Sequence, residues 1–414
     1  MKKLTTCIIG ILSIIALFLF LHSPEEKEKT KLARKTKAAF ATLDARIVKC
    51  TVAEFMLEPD DPDAPIAPLF ENLGDHSYKV STQSERAQAF FNQGLRLTYA
   101  FNHAEAHRAF MEAARLDPEL AMAYWGQAYA LGPNINDAYP DAERKQKAYQ
   151  ASLKALELSA NATAVEKDLI VALSGRYSDG PEDELAALNQ AYMEAMAKVA
   201  KKYKKDPDIQ TLYAASIMNT MPWNYWDKKV NPNPNIPEAK AALESAFSMD
   251  PSHPGAHHYY IHMVELPNPE LAVPSAEALG ELMPAAGHLV HMPSHIFIRV
   301  GRYKEAAEAN VAAVAADEDY VSQCYAQGMY PLAYYPHNIH FLWSSASLLG
   351  DSETAIAAAK KTAEKVPVGK LETLTFLQDY FSTPMLAYIR FGKWNEALTI
   401  PHPSAGKHVI MIWH

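Results

Sequence analysis

The sequence predicts an all-α array of helical hairpins behind an N-terminal signal or anchor segment. Three observations carry that prediction. Small and apolar residues recur with a period of about 34 positions, the mark of stacked helix pairs. No stretch alternates in the strand pattern, and Gly or Pro marks the turns of the clearest hairpins.

Composition sets the outer limits. With 414 residues, 49% hydrophobic and 21% charged, the chain can bury a core and is neither disordered nor fibrous. Cys7, Cys50 and Cys324 are too few for a disulfide framework or a Cys-rich zinc module; Cys50 and Cys324 could pair, but nothing demands it, and Cys324 reads as a buried inert thiol. The formal net charge of −9 speaks against nucleic acid, whose phosphates need clustered cations. It favours cations or basic partners.

Residues 1–40 are read as a signal or membrane anchor plus a charged spacer. Lys2 and Lys3 precede the apolar run Leu4–Leu21, and Phe20-Leu21-His22-Ser23-Pro24 offers a poor cleavage site, which favours an uncleaved anchor. The basic residues Lys27 to Lys37 argue for a cytoplasmic flank by the positive-inside rule, whereas the Lys-Lys-apolar start argues for export; the reading taken is export. Membrane association is therefore expected through residues 4–21. Residues 41–86, whose Cys50–Ser81 part is rich in Pro and Asp, read as an irregular cap. The array itself runs from 87 to 414 and is expected to be cut short at its C-terminus, since Ile412-Trp413-His414 falls within a helical pattern.

Within the array a register can be set element by element. Placing Pro118 at position 32 of the period puts Gly94 at 8, Ala106 at 20, Phe110 at 24 and Ala113 at 27, small and large sites that let one helix nest on the next. Pro251 at 32 places Ala239, Leu243 and Ala246 at 20, 24 and 27. Counting from Gly287 gives Gly301 at 15, Ala306 at 20 and Ala313 at 27; counting from Pro336 gives Gly350, Ala355, Ala359 and Pro367 at 15, 20, 24 and 32. Looser pairs are Ala121–Leu131 with Glu143–Leu158 and Ala164–Tyr177 with Asp183–Lys204, followed by Ile209–Thr220. Gly392 and Ala397 mark a further turn. The insertion 221–237 holds Pro222, Pro232, Pro234 and Pro237 with Trp223, Tyr225 and Trp226, so it is a loop with an aromatic plug, either tethered on the array or serving as a lid.

The segments Leu73-Gly74-Asp75-His76, Ala87 to Gly94, Phe101-Asn102-His103-Ala104-Glu105-Ala106, Gly132-Pro133-Asn134-Ile135-Asn136 and Gly287-His288-Leu289-Val290-His291-Met292-Pro293-Ser294-His295 resemble a group of exported bacterial tetratricopeptide-repeat (TPR) proteins. The resemblance covers about residues 70–414, most specifically Gly287–Tyr303. It implies a right-handed TPR-like α-solenoid at the periplasmic face of a bacterial cell envelope. It implies no chemistry.

Chemistry is suggested by histidine placement. Nine of the sixteen histidines lie between His253 and His340. In the registers above, His258 and His262 take positions 5 and 9; His288, His291 and His295 take 2, 5 and 9; His337 and His340 take 2 and 5. Spacing of i, i+3, i+7 puts these on one helical face. In TPR geometry that face lines a concave groove, so imidazoles from adjacent helices are expected to meet there, with Glu265 on the same face as ligand, supporting partner or base. Imidazole donors suit a transition metal such as zinc, copper, nickel or iron.

Three readings follow. The first is a non-enzymatic scaffold whose groove binds a protein or peptide partner or a metal-bearing ligand. The second is a metalloenzyme built on His258, His262, His291, His295 and His340, with Glu265 and Tyr259 as acid/base candidates. In the third the histidines only rigidify the solenoid, bonding to Tyr259, Tyr260, Tyr303 or backbone carbonyls. His258-Tyr259-Tyr260-Ile261-His262 lacks the Glu of a zinc-protease helix, and neither a nucleophile elbow nor a phosphate loop occurs. Ser294 reads as a helix-packing site, and His103 and His107 read as structural.

Overall fold

A computed structural model describes residues 65–180, 185–323 and 330–414. The proposed leader, most of the proposed cap and all three cysteines lie outside the described residues. Among the described residues the fold is all-helical, and no helix is long and apolar enough to cross a membrane. The chain divides into two compact units, one spanning Val48–Asn338 and another containing Ile339–His414.

The first unit carries α1 (Glu85–Tyr99), α2 (His103–Leu116), α3 (Ala121–Leu131), α4 (Ala142–Leu158), α5 (Ala164–Ser174), α6 (Leu185–Lys202), α7 (Pro207–Thr220), α8 (Ile236–Met249), α9 (Pro254–Val264), α10 (Val273–Leu282), α11 (Gly287–His291), α12 (Pro293–Phe297) and α13 (Tyr303–Gln323). Each helix from α1 to α10 packs on its successor, and α1 on α3, α3 on α5 and α7 on α9, the contact pattern of stacked hairpins. Starts are set locally. Ser84, Asp141 and Asp206 each accept a backbone N–H of the first turn, and Thr163 with Glu166 closes a capping box.

The register residues Ala106, Phe110, Ala113, Ala239, Leu243, Ala246, Ala306, Ala313, Ala355 and Ala359 are all buried. Gly94 shows why the small sites matter: a Cβ there would lie 2.6 Å from the Phe110 ring, and Gly126 faces the same ring from α3. The insertion is irregular from Met221 to Asn235 and is tied down by Trp226, whose Nε1 donates to the Met263 carbonyl at 2.7 Å.

One feature of this unit is not repeat-like. Helix α9 packs back on α1, and the segment preceding α1 is bonded to helices far along the chain. Along it, Ile66 N–H donates to Glu112, Phe70 N–H to Gln93 and Val80 N–H to Gln88, while Asn72 O accepts from Ala285 N–H at 2.9 Å. Backbone polar groups shielded from water need such partners, and these bonds hold the segment on the helices with Ile66, Ala67, Leu73 and Val80 buried.

Helix α14 (Tyr335–Leu349) leads into the second unit, where α15 (Ser352–Glu364) packs on α16 (Leu377–Arg390), and α16 on α17 (Trp394–Ala397) and α18 (Lys407–Trp413). Val366, Leu371 and Leu377 form its small core.

Candidate metal centre

Five histidines of the stripe are buried, whereas His337 and His340 are partly exposed. His258, His262, His288, His291 and His295 are 0%, 3%, 2%, 0% and 9% exposed.

Two groups of three result. His258 and His262 from α9 join His288 from α11, and His291 from α11 and His295 from α12 join His337 from α14; in each group one ring nitrogen per residue lies within 4.8 Å of the others. The hairpin register assigns His288 to the same set as His291 and His295. Rotation around the helix decides otherwise, turning His288 toward α9. The helix carrying these three is interrupted at Met292 because Pro293 has no N–H to continue it.

What each imidazole does with its second nitrogen is informative. His258 Nδ1 donates to the Tyr99 carbonyl at 2.6 Å, one of the carbonyls that the end of α1 leaves without a helical partner. His291 Nδ1 donates to Asn310 Oδ1 at 2.7 Å, and Asn310 is oriented by donating its amide to the Ala306 carbonyl. Glu265 serves both groups: Oε2 accepts from His295 Nδ1 at 2.7 Å and Oε1 stands 3.4 Å from His262 Nδ1. A carbonyl can only accept, so Nδ1 carries the proton and Nε2 of the neutral ring keeps its lone pair. Metal-bound histidines are held in this way.

His258 Nε2, His262 Nε2 and both ring nitrogens of His288 are buried without a hydrogen-bond partner. Each such atom costs about 1–3 kcal/mol. His103 and His107 also carry a partnerless nitrogen, but among the described residues neither belongs to a group of three donors. Burial lowers the pKa of His103 to about 4 and of His107 to about 3.

Burial likewise lowers the pKa of His258, His288 and His291 well below the ordinary imidazole value, and it lowers that of His262. The rings are neutral, the form that ligates metal. Burial of Glu265 raises its pKa, but His295 and the hydrogen bond from His262 outweigh this and hold it well below the carboxylate range. Glu265 is thus an ionised carboxylate beside the imidazoles, and it is not among the three donors of either group. Tyr259 is buried beside Tyr129, and burial raises its pKa well above the phenol value, so it stays protonated.

Aromatic rings wall the first group. The Phe101 ring lies 4.4 Å from His258 and is parallel to His262 at 5.9 Å; the Trp223 ring meets His262 edge-on at 5.0 Å, and the Tyr334 ring meets His288 at 4.8 Å. Phe101 and Trp223 both have left-handed backbones, φ 56° and 61°, which large side chains adopt only under constraint. Gly287 opens α11 against the buried Asp317, where a Cβ would fall 1.9 Å from the carboxylate oxygen.

His340 is in neither group. It belongs to the second unit, where its ring lies 4.9 Å from Trp343 and 5.3 Å from Tyr380 and burial lowers its pKa to about 4. Ser294 is fully buried, with Oγ 3.2 Å from His291 Nδ1. Sequence reasoning missed a third group: His76, Asp208 and His253 also bring three donor atoms within 4.8 Å. Only Leu73 to His76 in the resemblance hinted at it.

No family model matches the chain, and no curated protein matches it. Among solved structures it is similar to a chain of the APC/C hetero-tetramer Cut9–Hcn1, at 12% identity over 79% of this chain and 75% of that one, with a TM-score of 0.24. It is also similar to the TPR domain of P58(IPK), at 14% identity, 75% and 90% coverage and a TM-score of 0.21. For a chain of Naa15/Naa10 bound to HypK-THB the values are 12%, 75%, 57% and 0.24. These superpositions are too loose to carry an argument.

Proposed function

We propose that this chain is a metalloprotein in which His258, His262 and His288 hold a transition-metal ion. One observation carries the reading. Three buried, neutral imidazoles bring nitrogens to within 4.8 Å of one another, and each ring has a buried nitrogen that no hydrogen bond satisfies. Lone pairs turned together in a dry site repel unless a proton or cation lies between them, and burial disfavours the proton. Nitrogen-only donors suit zinc or copper. Three protein ligands leave a position open for water or a small molecule, the arrangement of catalytic rather than structural sites.

A partner-binding role is separate from this. Helical-repeat arrays commonly supply interaction surfaces, and here that role falls to exposed helix faces, because five histidines of the stripe are buried. Export or anchoring through residues 4–21 would place the centre in the cell envelope.

Elemental analysis after reconstitution of the apo chain with zinc or copper and exhaustive dialysis tests the reading. Retained metal in the unaltered chain, with at least one equivalent lost in His258→Ala/His262→Ala of unchanged helical circular dichroism, is expected. Equal metal content in the two proteins would overturn it.

A further inference from the structure

We infer that the centre holds two ions, the second on His291, His295 and His337. This deepens the metal-centre reading and rests on it. The second group repeats the chemistry of the first. His291 and His295 donate Nδ1 to Asn310 and to Glu265, which leaves the lone pair of each neutral ring on Nε2, and the His337 ring lies 4.7 Å from His291 and 5.7 Å from His295. Its donor nitrogens converge as closely as those of the first group, within 4.8 Å.

A single ion does not account for six imidazoles. Zinc–histidine bonds are about 2.0–2.1 Å and such sites take roughly four ligands, whereas the donors here fall into two sets of three. The sets are adjacent. Ring centroids are 5.8 Å apart for His288 and His291 and 5.5 Å for His262 and His295. Glu265 joins them physically, with one oxygen facing His262 of the first set and the other accepting from His295 of the second. A carboxylate shared in this way fixes both sets in one orientation and places its charge between them.

Charge then specifies the ligand class. Imidazole donors bring no negative charge to a bound ion, and Arg299 Nε, 3.7 Å from Glu265 Oε2, offsets part of the carboxylate. Two divalent ions in so dry a place need further negative charge close by. A small anion between the ions, hydroxide in the resting protein, supplies it and fills the open position of each.

The test uses the full-length chain, stripped with a chelator and loaded with zinc or copper(II) alone. Two ions per chain are expected, and copper(II) at both sites should show spin coupling: loss of the isolated paramagnetic signal and appearance of a half-field transition. His337→Ala, which alters the partly exposed member of the second group, should weaken the second ion at least tenfold and leave the first in place. His291→Ala/His295→Ala should retain one. Should that double variant misfold, the unaltered chain and His337→Ala decide. One ion per chain, or two ions with independent copper signals, overturns the two-ion centre while leaving the metal reading standing; no retained metal overturns both.

Discussion

Two clusters in the first unit share the ingredients of a metal site and differ in how their polar atoms are satisfied. In the stripe, ring nitrogens of His258, His262 and His288 are left without partners. In the cluster of His76, Asp208 and His253, hydrogen bonds take up the donors. Asp208 Oδ1 accepts from the Tyr99 hydroxyl at 2.7 Å and faces His76 Nε2 at 2.9 Å. His253 Nδ1 accepts from Ala256 N–H as the N-cap of α9, so its proton sits on Nε2, 3.4 Å from Asp208 Oδ1 and 3.4 Å from Thr211 Oγ1. This cluster is a clasp. It fastens the segment before α1 and the ends of α1, α7 and α9, and it needs no ion. Proximity of donors is shared by both clusters, so what separates a candidate site from a structural junction is the lone pairs left over.

The sharpest way to break the comparison is to remove one member from each cluster. Asp208→Ala leaves two buried histidines and a tyrosine hydroxyl without their acceptor, and a loss of about 3–5 kcal/mol in denaturant unfolding is expected. Such a loss from His288→Ala in the apo chain would reverse the assignment, because that change removes two unsatisfied ring nitrogens and should cost less than the loss of packing alone suggests.

Metal addition gives the next effect. An ion bound only by the folded chain adds about 2.7 kcal/mol at a hundredfold excess over its Kd. Thermal melts with zinc should show that gain in the unaltered protein and in Asp208→Asn. In His258→Ala/His262→Ala the gain should shrink.

The clasp should also have its own pH signature. Burial raises the pKa of Asp208, but the hydrogen bonds from His253 and His76 outweigh it and hold the carboxyl well below its ordinary value. A depressed carboxylate contributes stability above the unfolded pKa of about 3.9, and that contribution is lost as pH falls toward the folded value. Urea midpoints measured from pH 6 down to pH 2.5 should fall less steeply in Asp208→Asn, which at neutral pH should be less stable by about 1–3 kcal/mol. Parallel curves would remove Asp208 from the acid limb.

The smallest effect concerns the wall. Trp223 is 51% exposed and left-handed, so Trp223→Gly relieves strain while losing only part of a buried ring. Stability should change by no more than about 1 kcal/mol. Metal stoichiometry should hold, and exchange of bound metal with a chelator, followed by stopped flow, should quicken; an unchanged rate would separate Trp223 from access to His262.

The helical pairs and their packing residues were legible because they depend on local chemistry. Gly94, Ala106 and Phe110 repeat at a spacing set by two helices and a turn, and the i, i+3, i+7 histidines share a face whatever surrounds them. The partners were not legible. Tyr99 and His258 stand 159 positions apart, and Asn310 lies on the helix that follows the second hairpin turn. No period in the chain signals that α9 returns to α1.

The amino-acid order by itself determined that this protein is helical, where its hairpins turn and which histidines share a side, since those follow from turn residues and the 3.6-residue period. Tertiary structure alone decided that five histidines of the shared side are buried, that His288 groups with α9 while His340 falls in the other unit, and that Glu265 stands beside the imidazoles. Those outcomes depend on chain closure and on which buried lone pairs find a donor, and both are properties of residues far apart in the chain.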